Sequence, residues 1–112
     1  MRIGLDLLET ERMERLLENA AFMRRAFSAS EREYIQSRGG SAAQTAAGIF
    51  CAKEALAKAA GVGLIAVLRA HEIRHEDSGT PYFDIPGVSV SITHTARTAA
   101  ACVLFDPGKA KF

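Results

Sequence analysis

One stretch governs what this chain can fold into: Ser41 to Gly63, S-A-A-Q-T-A-A-G-I-F-C-A-K-E-A-L-A-K-A-A-G-V-G. Its alanine-rich interior favours helix, Ser41 followed three residues later by Gln44 predicts a capping box at the start, and Gly61 suits the end. On a helical wheel Ile49, Ala52, Leu56, Ala59 and Ala60 form one apolar face, while Ala47, Phe50 and Cys51 flank Glu54 and Lys58 on the other. Lys53 alone supplies charge to the remaining side. A helix apolar nearly all round belongs in the interior of a fold or between subunits, so Glu54 and Lys58 are expected where water is scarce.

Two readings of Glu54 and Lys58 stand side by side. Four residues apart with the acid first, they suit an ordinary helix ion pair worth about 0.2–0.5 kcal/mol. The sharper reading is a site in which Glu54 faces a metal and Lys58 an anion.

The 112 residues make one domain with a modest core, for which oligomerisation would add stability. A net charge of +1 gives no general electrostatic reason to bind nucleic acid or an anionic membrane. Positive charge is locally dense, with Arg12, Arg15, Arg24, Arg25, Arg32 and Arg38 in the first third, either as a solvated helical surface or as a face for an acidic protein. Cys51 and Cys102 lie in apolar contexts without metal-type spacing, which predicts reduced thiols. With no signal-peptide pattern and no bilayer-spanning apolar run, a cytoplasmic location is expected.

Met1 to Leu8 alternates Met1, Ile3, Leu5 and Leu7 against Arg2, Gly4, Asp6 and Leu8, as a strand does. Asp6, near its end, suits a turn or cap by itself. Helical pieces are expected over about Thr10 to Leu17 and Ala20 to Ala26, and a third from the Ser28/Glu31 capping pair to Gly39-Gly40. Beyond Gly63 the pattern reads as extended. Ala70 to Glu76 and Pro81 to Ile85 bracket a hairpin turn, Val88 to Thr95 alternates strictly, and Ala99 to Phe105 forms a last strand. His71 and His75 fall in the first of these strands, too far apart for joint metal binding, and read as surface residues. His94 ends an apolar strand face beside a turn. The expected fold is α+β: an antiparallel-rich sheet packed on one long helix, in a single domain over 1–106 with a flexible tail at 107–112.

Three blocks in order, I-G-L-D with Arg12 following, F-C-A-K-E-A-L-A-K-A-A-G-V-G, and S-I-T-H-T, together resemble the holo-acyl-carrier-protein synthases, the small bacterial class of 4′-phosphopantetheinyl transferase. F-S-A-S-E-R-E-Y and the G-T-P turn resemble the same family. The resemblance implies Mg²⁺-dependent transfer of 4′-phosphopantetheine from coenzyme A to a serine of an apo acyl carrier protein, with release of 3′,5′-ADP. It also implies a homotrimer with active sites at its subunit interfaces.

By position, Asp6 and Glu54 match the carboxylates that hold Mg²⁺ with the coenzyme A pyrophosphate. Mg²⁺ commonly takes one or two carboxylates together with substrate phosphates, so the pair is chemically apt. Lys58 matches a lysine near the scissile phosphate, acting by charge stabilisation or by proton handling at the serine. His94 would contact coenzyme A, Gly61 and Gly63 would let backbone approach it, and Arg12 and Arg25 match positions that engage the acidic carrier.

Two departures qualify the likeness. Ile49 stands where the R-F-A-A-K-E-A motif has Arg, and Gly61-Val62-Gly63-Leu64-Ile65 lacks the last glycine of G-x-G-I-G. Two other readings follow: a catalytically weak relative kept as a carrier-protein-binding subunit, and a Mg²⁺-dependent phosphohydrolase using the same carboxylates.

Overall fold

The computed structural model describes residues 1–111. Strand β1 (Arg2–Glu9) leads into three short helices, α1 (Thr10–Leu16), α2 (Ala20–Ala26) and α3 (Ala29–Ser37). The long helix α4 (Ala42–Ala60) and a short α5 (Leu64–Ala70) follow, then β2 (Ile73–His75), β3 (Pro81–Phe83), β4 (Val88–His94) and β5 (Thr98–Phe105). The α+β architecture is as expected, with two antiparallel sheets: three strands in the order β1-β5-β4, and the β2–β3 hairpin.

Helix α4 lies across the three-stranded sheet and gives the core more residues than any other element, with Ala46, Ala47, Ile49, Cys51, Ala52, Ala55, Leu56 and Ala59 among those buried. Close approach to β1 depends on Gly4, where an added Cβ would come within 1.9 Å of the Ala55 carbonyl oxygen. Backbone cannot yield to that overlap as a flexible side chain can, so glycine is required.

Several local expectations are corrected. Ser41 makes no side-chain cap, because a 3-10 turn over Gly39–Ser41 delivers the chain directly into α4. The other expected capping box, at Ser28 and Glu31, does form. Residues after Gly63 are not extended at once: Leu64–Ala70 is helical, which places His71 at a helix C-cap and leaves only Ile73–His75 as strand. Val67 fills the core there, and this burial outweighs the strand preference of the local sequence. His75 is half-buried and stacks on Tyr34 with ring centroids 3.9 Å apart, so it is not simply a surface residue. At the expected tail, the Asp106 carbonyl oxygen accepts from the Lys109 and Ala110 N–H groups, and Ala110 packs on the core. Phe112 lies outside the described residues.

Strand β1 alternates in an unexpected sense. Gly4 and Leu8 are buried under α4 with Asp6 between them, while Ile3, Leu5 and Leu7 are 66%, 64% and 68% exposed on the opposite face. Leu104, opposite Ile3 on β5, is exposed beside them.

Lys53 is the largest departure from the helical wheel. It is fully buried, and its Nζ donates to the Ala26 carbonyl oxygen at 3.0 Å and to Glu31 Oε1. Glu31 Oε1 also accepts from Ser28 N at 2.8 Å, and its Oε2 from Ile73 N at 2.7 Å. One buried pair thereby ties α2, α3, α4 and β2 together. Replacing one partner strands the other's charge in the core, so Lys53→Met should lower stability by about 3–5 kcal/mol in urea unfolding. A loss below ~1 kcal/mol would mean that the pair behaves as a solvated one.

Candidate active site

The pairing of β1 with β5 sets Asp6 opposite Ala101 on the face that α4 covers. From α4, Cys51, Glu54 and Lys58 recur at intervals of three and four, which puts them on one face of the helix. The Asp6 side chain is 14% exposed, and its Oδ1 accepts from Lys58 Nζ at 3.1 Å. Lys58 also donates to the Leu5 carbonyl oxygen at 3.0 Å. The helix pair considered from spacing is thus replaced by an ion pair between helix and strand, and Asp6 is not a cap. Lys58 is exposed in the single chain, contrary to the expected scarcity of water, whereas Glu54 is half-buried.

Burial pushes the Glu54 carboxyl above the usual carboxylate range, and the Asp6 charge adds to the rise while Lys58 and Arg12 oppose it. Burial likewise pushes the Cys51 thiol up to about 12, helped by the Asp6 charge. Three groups from two elements therefore feel one another: Asp6, Glu54 and Cys51, with Lys58 as the cation among them.

Among the described residues, no three His, Cys, Asp or Glu side chains gather closely enough to hold a metal by themselves. Two neighbouring carboxylates, one destabilised by the other's charge, fit a hard cation that takes its other ligands from phosphate and water. The donor set therefore suits Mg²⁺ bound together with a diphosphate.

The remaining predicted residues, Arg12 excepted, lie outside this cluster. Gly61 ends α4 in the left-handed region at φ 73°, where its N–H bonds the Ala57 carbonyl oxygen, and Gly63 precedes α5 with open space around it. Both follow Lys58 closely in the chain. His94 lies exposed at the end of β4, on the opposite edge of the sheet from β1. It lines a shallow cleft of about 190 Å³ with Tyr34, Arg38, His75 and Ile49, and this cleft includes none of Asp6, Glu54 or Lys58. Arg12 projects from α1 near enough to Glu54 to oppose its rise, while Arg25 is exposed on α2. Cys51 had no assigned role; its position one turn before Glu54 was the available signal.

The model of the 4′-phosphopantetheinyl transferase superfamily matches residues 2–104. A holo-[acyl-carrier-protein] synthase of Listeria welshimeri is 39% identical over 113 residues, covering 93% of this chain and 96% of its own. One from Treponema denticola is 31% identical over 118 residues, covering 93% and 96%. The crystal structure of a holo-(acyl-carrier-protein) synthase from Bacillus anthracis, in complex with CoA (3′,5′-ADP), has a TM-score of 0.82 at 34% identity, covering 92% of this chain and 93% of that one. The Helicobacter pylori synthase in complex with coenzyme A gives 0.81 at 26% identity, covering 93% and 99%. The chain belongs to the 4′-phosphopantetheinyl transferase superfamily and, within it, to the holo-acyl-carrier-protein synthases, and it is an enzyme of that class.

The raised Glu54 carboxyl makes a stability prediction whose sign can be worked out. Folding strengthens proton binding there, so ionised Glu54 destabilises the metal-free protein above its folded pKa, and the penalty fades as pH falls through it. Glu54→Gln should therefore raise the Tm of metal-free protein at neutral pH and lose this advantage in acid. A Tm difference that does not vary with pH would contradict the assignment.

Proposed function

We propose that this enzyme transfers 4′-phosphopantetheine from coenzyme A to a serine of an apo acyl carrier protein, with Mg²⁺ and with release of 3′,5′-ADP. The observation that carries the reading is the meeting of Asp6, Glu54 and Lys58 between β1 and α4 in a chain of this family. Asp6 and Glu54 would hold Mg²⁺ on the pyrophosphate, and the ion would supply charge neutralisation of the phosphoryl oxygens. The serine oxygen forms a bond to phosphorus as the pyrophosphate P–O bond breaks, its hydroxyl proton passing to solvent and the bond's electron pair leaving with 3′,5′-ADP. Lys58, already placed as a donor to Asp6 and the Leu5 carbonyl, is suited to turn its ammonium to the transferring phosphoryl group and stabilise its charge.

His94 would contact coenzyme A, and Gly61 and Gly63 would allow its close approach. Arg12 and Arg25 would steer the acidic carrier towards Glu54 and its neighbours. Division of the candidate residues between the two outer strands of one sheet suits a site shared by subunits, and the apolar face of Ile3, Leu5, Leu7 and Leu104 suits the contact. We read the working state as a homotrimer. Sedimentation equilibrium should give three times the 12.1 kDa chain mass; a 12.1 kDa species at working concentration would refute it.

Intact-mass spectrometry of an apo carrier incubated with enzyme, coenzyme A and Mg²⁺ should show the gain of one phosphopantetheine. EDTA should suppress it, rising salt should slow it by screening the carrier contact, and Asp6→Ala should slow it at least about 100-fold, the equivalent of ~3 kcal/mol. Undiminished transfer in EDTA would sink the metal role. Free phosphopantetheine without a labelled carrier would point to hydrolysis, and no reaction with several carriers would favour a binding subunit. Ile49, fully buried in the core, would then be the residue to revert to Arg.

A further inference from the structure

Besides the pyrophosphate that reacts, coenzyme A carries a phosphomonoester and a planar adenine ring, and both remain on the released 3′,5′-ADP. Asp6, Glu54 and Lys58 serve only the pyrophosphate. The cleft of about 190 Å³ at His94 has the chemistry for the other end. No carboxylate lines it, whereas Glu72 or Glu9 lines each of three larger clefts of about 280, 620 and 340 Å³, where a phosphate dianion would be repelled. Tyr34 and His75, stacked with ring centroids 3.9 Å apart, both line the His94 cleft and offer it aromatic surface of the kind on which a base stacks.

Of the residues lining this cleft, only Arg38 is charged at every working pH. It stands exposed at the C-cap of α3, its guanidinium carbon 5.8 Å from the centre of the Tyr34 ring, and it enters no ion pair among the described residues. An arginine at position 49, as in the R-F-A-A-K-E-A motif, would bring a second guanidinium to the same cleft; here Ile49 lines it with carbon alone. The cation that α4 lacks is thus supplied by α3. We propose that Arg38 is a specificity-determining residue, whose guanidinium binds the phosphomonoester of coenzyme A in the cleft of Tyr34, His75 and His94 and so selects coenzyme A over the form that lacks this phosphate. The inference rests on the coenzyme A reading proposed above. A guanidinium suits the task because its fork of N–H donors matches two phosphate oxygens at once.

The test is calorimetric titration of coenzyme A and of 3′-dephospho-coenzyme A into the enzyme with Mg²⁺, with carrier labelling followed in parallel by intact mass. The wild type should bind coenzyme A about tenfold more tightly than the dephospho form, as one charge-assisted hydrogen bond would give. Arg38→Gln should raise the Kd for coenzyme A about tenfold, leave that for the dephospho form within about twofold, and so erase the preference. Arg38 is exposed, so the substitution leaves the core intact. Equal weakening of both ligands would mean that Arg38 only shapes the cleft, and an undiminished preference would place the phosphate elsewhere. Either result would overturn the proposal, as would a wild type that does not distinguish the two ligands. In each of these cases continued labelling of the carrier would leave the transferase reading standing. A wild type that binds neither ligand would also overturn the proposal, and the absence of labelling alongside it would overturn the coenzyme A reading as well.

Discussion

The close contact between α4 and β1 is the constraint on which the rest of the structure depends. Gly4 lets the helix come so near that a single methyl group would overlap the Ala55 carbonyl oxygen. At that separation the row of small residues on α4 joins the sheet in one core. The same approach brings Lys58 within hydrogen-bond distance of Asp6 and sets Cys51 against the Ala99 carbonyl. Packing and chemistry thus share one interface. A change that relaxed the core would also loosen the geometry of the two carboxylates.

Orientation of α4 about its own axis is fixed from the other side. Lys53 immediately precedes Glu54, so the buried bonds of Lys53 to Glu31 and the Ala26 carbonyl determine which way Glu54 faces. Glu31 in turn caps α3 and holds the start of β2. A pair of this kind offers little net stability over a well-packed apolar one, but it accepts few alternative alignments because every misalignment leaves a buried charge unmatched. The site's geometry and the placement of the short helices are consequences of one network.

The carbon face of β1 expresses the opposite logic. Ile3, Leu5 and Leu7 face outward, and the strand gives its inner positions to Gly4, Asp6 and Leu8. A chain of this length has limited apolar surface for its own core, and here a substantial part is turned away from it. Under the trimeric reading, that surface is where the subunit's own core ends and the assembly's begins.

Much was determined by local sequence. The α+β class, α2, the capping box at Ser28, the alternation of Val88 to His94 and the hairpin before it follow from periodicity and turn chemistry, which act over a few residues. The ordered blocks also carried the family, because they resemble it across nearly the whole chain. Local pattern did not disclose α5, the inverted sense of β1 or the burial of Lys53. Each depends on a partner distant in sequence: the core around Val67, the helix laid on Gly4, and Glu31. Spacing put Cys51, Glu54 and Lys58 on one helical face but left the partner of Lys58 open between Glu54 and an anion. Tertiary structure chose Asp6, because short-range electrostatics is settled by a few ångströms that only the packing of α4 against β1 sets.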